Sequence, residues 1–300
     1  MTNRREFMHY SAVAALAASP SLSALAEKQR QLPTRPIPGT DESLPIIGLG
    51  NSGSFRDEDL TVARNLIDVF LDYGGRYVDA GGSSRFSVGR LGVEKDASDV
   101  LFIGNYLDPG EDEAMRKEAL IVARAQGKSA LDLIHTRRLG EFRAQHDRYY
   151  ALKDDGLVRF VGIARSGQQN FDAIEKLIRD GLVDFIQVNY SFVEPEAADR
   201  LLPLAMDEGV AVNINRPFIN GDYFSMVRGH ALPAWAVDFD CDSWAQFSLK
   251  FILANPAVNC VLTETADPKH AIDNLGAGFG RLPDEAELQR MLDHIREIRG

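Results

Sequence analysis

The sequence predicts an α/β protein in which eight strand–helix units close into a (β/α)8 TIM barrel. Three observations support this prediction. Eight short apolar runs recur along the chain, and segments with the 3.6-residue apolar spacing of a helix separate them. The length of 300 residues also suits such a barrel, which takes about 250 residues. We therefore expect one large barrel domain.

The predicted strands are nearly continuous apolar runs, as in VRFVGIAR (158–165). This pattern is typical of strands that are covered on both faces, as in a parallel sheet beneath helices. The strands are predicted at 44–51, 76–80, 100–106, 130–136, 158–165, 184–190, 211–218 and 258–264.

Helices are predicted between the strands. Residues 59–74 and 170–181 carry apolar side chains at helical spacing, and each segment ends on a glycine, which favours the left-handed turn after a helix. A last helix over 284–299 is expected to pack outside the barrel. The longest irregular stretch, residues 219–242, follows the seventh strand, and loops of that length are commonly functional.

Residues 48–53 offer a competing interpretation. Their sequence GLGNSG matches the glycine pattern of a dinucleotide-binding Rossmann unit, and Asp79 ends the next strand. The helix does not begin at the third glycine, however, and the spacing to Asp79 exceeds the usual ~20 residues. A doubly wound sheet would also leave the last two strand–helix units unexplained, so the barrel is the favoured fold.

The composition excludes several functional classes. The net charge is −11 and the pI is about 5.1, which argues against nucleic acid as a partner, because phosphate binding needs clustered Lys and Arg. The same charge argues against electrostatic attachment to an anionic membrane. Cys241 and Cys260 are too few for a disulfide scaffold and do not have zinc-site spacing. No internal apolar run reaches the roughly 18 residues of a spanning helix.

Residues 1–26 have the order of features found in an export signal. Arg4 and Arg5 precede a mildly apolar, Ala-rich stretch, and Ala24-Leu25-Ala26 offers a small-x-small cleavage site. The paired arginines and weak apolar core indicate the twin-arginine route, which would place the mature protein, residues 27–300, in the periplasm or outside the cytoplasm. An ordinary amphipathic N-terminal helix is the alternative.

Every predicted strand ends on a polar or charged residue, and in a barrel of this type the chemistry lies at that end. Asp79 and His135 stand out, because each follows an apolar run and an aspartate there is costly to bury without partners. No metal-ligand motif and no G-x-S-x-G elbow is present, so metal catalysis and an α/β-hydrolase are not expected. The strand ends are Asn51, Asp79, Asn105 with Tyr106, His135, Arg165, Asn189 with Tyr190, Asn215 with Arg216, and Glu264 with Thr265.

Several segments together resemble the aldo-keto reductase family over most of the chain, from about Arg35 to the last helix. They are PIIGLGN (45–51), YVDAGGSSRFSVGRLG (77–92), LDLIHT (131–136), VRFVGIARSG (158–167), DFIQVNYS (184–191), VAVNINRPF (210–218) and TADPKHAIDNLGA (265–277). The resemblance is strongest to a subgroup that often carries twin-arginine signals. It implies a single barrel over 27–300 that binds NADP or NAD without a Rossmann motif.

The resemblance also implies a catalytic set, which this chain carries only in part. The family reduces carbonyl groups with Asp, Tyr, Lys and His, the tyrosine acting as the proton donor. The aspartate corresponds to Asp79 and the histidine to His135. The tyrosine position is occupied by Ser84 and the lysine position by Asn105. We therefore expect altered or weak activity from this incomplete tetrad.

The cofactor positions implied by the resemblance are changed as well. Glu264 stands where the family contacts the 2′-phosphate of NADP, and its negative charge disfavours that phosphate. Tyr106 adjoins Asn105, but adjacent residues of a strand point to opposite sides, so it is expected to compensate only if the loop turns there. Arg85, Arg137 and Tyr190 are other candidates near the mouth, for which surface or packing roles are expected. The implied cofactor-binding residues are Gln187, Arg216, Thr265, His270, Asn274 and Arg165.

Three functions remain open from the sequence. The favoured one is an exported NAD(P)(H)-dependent oxidoreductase that acts on a small carbonyl or alcohol substrate. This protein is expected to be monomeric and to be recognised by the twin-arginine export machinery. A non-catalytic barrel that binds a small ligand or a partner protein is the alternative, since Ser84 and Asn105 depart from the family together. A cofactor-free lyase or isomerase using Asp79 and His135 as an acid–base pair is the third.

Overall fold

The computed structural model describes residues 31–300. The predicted export signal over 1–26 lies outside the described residues. The described part begins with an antiparallel hairpin of two short strands, β1 (Thr34–Pro36) and β2 (Ser43–Pro45). The hairpin precedes the eight strands that form the body of the protein.

Eight parallel strands close into a barrel, which confirms the predicted fold class. Neighbouring strands follow the order β10-β3-β4-β5-β6-β7-β8-β9, and β10 pairs with β3 to close the ring. Each of the eight predicted strand segments contains one barrel strand. The strands are β3 (Ile47–Leu49), β4 (Tyr77–Ala80), β5 (Phe102–Tyr106), β6 (Leu131–Thr136), β7 (Val158–Ala164), β8 (Phe185–Asn189), β9 (Ala211–Asn215) and β10 (Cys260–Thr263).

Helices surround the barrel. They are α1 (Thr61–Asp72), α2 (Ser84–Glu94), α3 (Asp112–Ala125), α4 (Leu139–Ala144), α5 (His146–Asp154), α6 (Phe171–Arg179), α7 (Leu201–Asp207), α8 (Asp222–Met226), α9 (Trp244–Leu253), α10 (Pro268–Gly276) and α11 (Glu285–Arg299). The predicted last helix corresponds to α11, which Asp284 caps by accepting a hydrogen bond from the amide of Glu287. The stretch 219–242 is less irregular than expected, because it contains α8 and a 3₁₀ helix over Ala234–Phe239.

The Rossmann interpretation is wrong, because the sheet is closed and each barrel strand pairs with the next in the chain. The glycines of residues 48–53 serve the barrel instead. A Cβ at Gly48 would lie 2.8 Å from both the carbonyl oxygen of Tyr77 and a methyl group of Leu262. Glycine is therefore needed there for close packing between strands.

The barrel interior is apolar at the amino ends of the strands and polar at their carboxyl ends. Side chains near the amino ends of the strands, such as Phe102, Phe160 and Phe185, form one buried cluster, and Ile37 and Leu44 of the hairpin join it. The hairpin therefore covers the amino end of the barrel. At the other end the inward-facing residues are polar, and there the barrel opens into a cavity.

No helix within residues 31–300 is long and apolar enough to cross a membrane.

Candidate functional site

A cavity of about 910 Å³ lies at the carboxyl ends of the barrel strands. Its volume is at the upper end of the range for small-molecule and cofactor pockets, about 300 to 1,000 Å³. The walls come from loops that follow most of the strands, including Asn51, Arg137, Arg165, Arg216 and Thr265. The location agrees with the general placement of active sites in this type of barrel.

Three polar side chains that line the cavity are hydrogen-bonded to one another. The hydroxyl group of Tyr106 donates to Oδ2 of Asp79 at 3.2 Å. The Nε2 group of Gln187 donates to Oδ2 of Asp79 at 3.2 Å and to the Tyr106 oxygen at 3.1 Å. These three residues come from β4, β5 and β8, and we call them the Asp79–Tyr106–Gln187 cluster.

The strand register explains why Tyr106, and not Asn105, reaches the cavity. Asp79 pairs with Gly104, so these two residues share the inner face of the barrel. Side chains alternate along a strand, which returns residue 106 to the inner face and turns residue 105 outward. The side chain of Asn105 accepts a hydrogen bond from Nε2 of Gln126, at the end of α3, at 2.7 Å. The expectation that Asn105 faces the mouth is therefore wrong.

Ser84 is also separate from the cavity. It is the first residue of α2, it is fully buried, and it is not among the residues that line the cavity. Ser84 and Asn105, which replace the family's tyrosine and lysine, therefore do not line the cavity. Tyr106, by contrast, lines the cavity and contacts Asp79.

His135 lies in the barrel interior beside Tyr106 but does not line the cavity. The centroids of these two rings are 5.6 Å apart, and the two residues pair directly across β5 and β6. Nε2 of His135 lies 3.3 Å from the hydroxyl group of Tyr77, which donates to Oε1 of Gln187 at 3.4 Å. Tyr77, which the sequence reasoning did not single out, thus links His135 to the Asp79–Tyr106–Gln187 cluster.

Burial shifts the pKa values of three of these groups. Loss of solvation raises the pKa of Asp79 to about 6, although hydrogen bonds from Gln187 and Tyr106 oppose the shift. Burial raises the pKa of Tyr106, so its hydroxyl group keeps its proton. Burial, assisted by the charge of Arg137, lowers the pKa of His135 to about 3, so the imidazole is neutral at neutral pH. Asp79 is therefore the group of the three that titrates near physiological pH.

Positive charge predominates around the cavity, although the chain as a whole is acidic. Four arginines line it, against the two carboxylates Asp79 and Glu264. Within residues 31–300, three of the four have no acidic side chain within 4.0 Å, and only Arg216 has one, Glu194 at 3.4 Å. The other three are Arg56, Arg137 and Arg165. Such a lining favours an anionic ligand.

The structure separates the predicted cofactor residues into two groups. Gln187, Arg165, Arg216 and Thr265 line the cavity. His270 and Asn274, which both belong to α10, do not; His270 is exposed and Asn274 is buried. Glu264 lines the cavity, and partial burial raises its pKa against the opposing charge of Arg56.

The loop after β9 has a strained backbone where it borders the cavity. Arg216, Ile219 and Asn220 have φ angles of 53°, 51° and 55°. Non-glycine residues are uncommon in this left-handed region, and such strain is concentrated at functional sites. Arg216 and Asn220 both line the cavity. The strained conformation therefore helps to shape one wall of the site.

No group of His, Cys, Asp and Glu side chains within residues 31–300 is arranged to hold a metal ion.

Comparison with known proteins relates the fold to solved structures of aldo-keto reductases. No protein-family model matches the chain, and no curated protein matches it by sequence. The structure resembles the aldo-keto reductase AKR11C1 from Bacillus halodurans, in its holo form, with a TM-score of 0.71 and 17% identity over 88% of this chain and 96% of that one. The apo form of the same protein gives a TM-score of 0.69 at 18% identity.

A further structure, an unconfirmed aldo-keto reductase from Pseudomonas aeruginosa, gives a TM-score of 0.65 at 15% identity and covers 84% of this chain and 98% of that one. The structural similarity establishes the fold. The sequence identities are too low to establish the activity, which has to be argued from the site. The fold of this chain is the (β/α)8 barrel that these aldo-keto reductase structures share.

Proposed function

We propose that this protein is an aldo-keto-reductase-like oxidoreductase that interconverts a carbonyl and an alcohol group with NAD(P)(H), through an altered catalytic set. The observation that carries the proposal is the Asp79–Tyr106–Gln187 cluster, which presents a tyrosine hydroxyl group to a cavity at the carboxyl end of the barrel. The shared fold with solved aldo-keto reductases supports the choice of reaction.

The residues around the cavity fit a nicotinamide dinucleotide. Its pyrophosphate needs positive partners, and Arg56 and Arg165 line the cavity without an acidic side chain within 4.0 Å in residues 31–300. The Oδ1 atom of Asn51 is buried without a hydrogen-bond partner. This oxygen is available to an amide donor such as the carboxamide of nicotinamide. When bound, the cofactor would supply or accept the hydride.

Glu264 bears on the choice between the two dinucleotides. Its carboxylate lines the cavity and would face the additional phosphate of NADPH with like charge. NADH lacks that phosphate. The proposal therefore includes a preference for NADH.

The proposed chemistry assigns one proton path to residues of the cluster. During reduction Tyr106 gives its hydroxyl proton to the developing alkoxide oxygen of the substrate. Asp79, in its protonated form, then returns a proton to Tyr106 across their 3.2 Å contact. Gln187 holds both oxygens in place, and the neutral His135 is a positioning residue behind Tyr106. Oxidation of the alcohol follows the same path in reverse.

We further propose that the protein is exported by the twin-arginine route, on the strength of Arg4, Arg5 and the Ala24-Leu25-Ala26 site. Replacing both arginines by lysine should retain the protein in the cytoplasm, as measured by cell fractionation and immunoblotting. Export that is unchanged by this double substitution would contradict the proposal.

The experiment that tests the proposed function is a fluorescence titration of the protein with NADH and NADPH, followed by a screen of small carbonyl compounds. We expect micromolar binding of NADH and weaker binding of NADPH. If neither dinucleotide binds at millimolar concentration, the oxidoreductase proposal fails. The non-catalytic barrel that binds a small ligand would then be the better function, because the arginine-lined cavity serves it equally well.

A further inference from the structure

Arg137 has a defined position beside the Asp79–Tyr106–Gln187 cluster. It follows β6 directly and lines the cavity. Its guanidinium carbon lies 3.9 Å from the centroid of the Tyr106 ring, a cation–π contact. Its Nη2 atom lies 3.5 Å from the place that a Cβ at Gly81 would occupy, an ordinary van der Waals distance.

The neighbouring arginine shows how an ordinary surface arginine of this chain behaves. Arg138 has Asp108 at 3.7 Å and Glu141 at 3.1 Å. Arg137, unlike Arg138, lines the cavity. Within residues 31–300 it has no acidic side chain within 4.0 Å. A guanidinium group that packs on an aromatic ring and has no carboxylate within 4.0 Å can bind a planar anion by two hydrogen bonds. The charge of Arg137 also acts on the Asp79 carboxylate, which lies farther away.

The position of Arg137 distinguishes it from the other cavity arginines. It stands next to Tyr106 and Asp79, the residues that carry the proposed proton path. Arg165 and Arg216 follow β7 and β9, on other parts of the cavity wall. An anion bound to Arg137 is therefore adjacent to the reacting carbonyl group, whereas the phosphates of a dinucleotide have partners elsewhere.

We propose that Arg137 binds the carboxylate of the substrate and that the substrate class is small 2-oxo acids and the corresponding 2-hydroxy acids. The reaction in this proposal rests on the proposed function, but the carboxylate site does not. A carboxylate adjacent to the carbonyl group lets Arg137 and Tyr106, which are in contact, bind the two groups at once. Acids with a remote carboxylate would not reach both residues.

The test is isothermal titration calorimetry of the full chain with oxalate and pyruvate, and with acetone as an uncharged analogue. We expect both anions to bind and acetone to bind at least tenfold more weakly than pyruvate. Arg137→Ala should weaken oxalate binding by about 10- to 100-fold, because a bidentate charged partner is lost. The oxalate affinity of Arg137→Lys should lie between those of the wild type and Arg137→Ala, because lysine keeps the charge but cannot form two parallel hydrogen bonds. Arg138→Ala is the matched control and should bind oxalate as the wild type does.

Two results would overturn the inference: absence of oxalate and pyruvate binding at millimolar concentration, or equal binding by wild type and Arg137→Ala. Titration with ADP separates the carboxylate from a phosphate as the anion. An Arg137→Ala variant that loses affinity for ADP but not for oxalate would show that Arg137 serves the cofactor. If oxalate binding depends on Arg137 but neither dinucleotide binds, the carboxylate site stands and the proposed oxidoreductase function fails. Thermal melting of each variant controls for folding.

Discussion

At the residue scale, the candidate site depends on which of two adjacent residues faces inward. Asn105 and Tyr106 end the same strand, and the pairing of Asp79 with Gly104 assigns the inner face to Tyr106. The side chain of this strand that contacts Asp79 is thus the hydroxyl group of Tyr106 and not the amide of Asn105. A proton donor is therefore present at the cavity, although Ser84 occupies the position where the family resemblance implies one.

Tyr106→Phe should reduce the rate of carbonyl reduction by about 10²- to 10⁴-fold, the usual effect of losing a general acid. NADH affinity should remain within twofold of wild type in a fluorescence titration, because Asp79 and Gln187 stay bonded to each other. Steady-state kinetics measures the rate. Ser84→Ala is the matched control and should keep the wild-type rate, since Ser84 does not line the cavity. A wild-type rate for Tyr106→Phe together with a large loss of rate for Ser84→Ala would assign the acid role to Ser84.

Glu264→Gln should improve binding of NADPH relative to NADH by about fivefold. The reason is that one like charge is removed near the expected 2′-phosphate, and two like charges 4 Å apart repel by about 1 kcal/mol in bulk water. Parallel titrations of wild type and variant with both dinucleotides measure the ratio. An unchanged ratio would mean that Glu264 lies away from the bound phosphate. Glu194→Gln, which alters a carboxylate paired with Arg216, provides a comparison for a general charge effect.

At the scale of elements, the amino-terminal hairpin is attached to the barrel by one arginine as well as by apolar packing. The guanidinium group of Arg35 donates to the carbonyl oxygens of Leu253 and Asn255, at 2.6 and 2.9 Å, and to that of Val258. These carbonyl groups lie at the end of α9 and in the loop that leads to β10. Burial lowers the pKa of Arg35, as expected for a charge held by neutral acceptors.

Arg35→Ala should lower the free energy of unfolding by about 2 to 4 kcal/mol, because several hydrogen bonds to a charged donor are lost and their carbonyl acceptors are left without it. Urea unfolding followed by circular dichroism measures the change. Arg138→Ala, which removes an arginine that pairs with exposed carboxylates, should change stability far less, because surface ion pairs contribute little. Equal effects of the two substitutions would contradict a structural role for Arg35.

At the scale of the whole molecule, two buried groups give the stability opposite dependences on pH. The pKa of His135 is about 3 in the folded state and about 6.5 in an unfolded chain, so stability falls as the pH drops from 6.5 towards 3. The pKa of Asp79 is about 6 when folded and about 4 when unfolded, so its contribution falls as the pH rises from 4 to 6. The two effects oppose each other between pH 4 and 6.

Substitution of each group should therefore alter the pH profile in opposite directions. His135→Gln should leave a protein whose stability, relative to wild type, declines as the pH rises from 4 to 6. Asp79→Asn should make the loss of stability in acid steeper than in wild type over the same interval. Urea unfolding at a series of pH values measures both profiles. Parallel profiles for wild type and both variants would show that neither group has the shifted pKa described above.

The sequence by itself determined the fold class, the eight strand segments and the last helix. These follow from local patterns, since a run such as VRFVGIAR is largely apolar on both faces, which is typical of a covered strand. It also identified Asp79 as a residue at the mouth, because a polar side chain directly after an apolar run falls at a strand end. The export signal and the roles of the site residues remain predictions from sequence and resemblance.

Only the tertiary structure decided which polar groups meet. A shift of one residue in register exchanges the two faces of a strand, and nothing in GNY (104–106) fixes which of its residues points inward. The pairing of β4 with β5 selects Tyr106, and closure of the barrel brings Gln187 of β8 to the same place. Contacts between residues that are distant in the chain, such as Arg137 over Tyr106, depend on that register and have no local sequence signal.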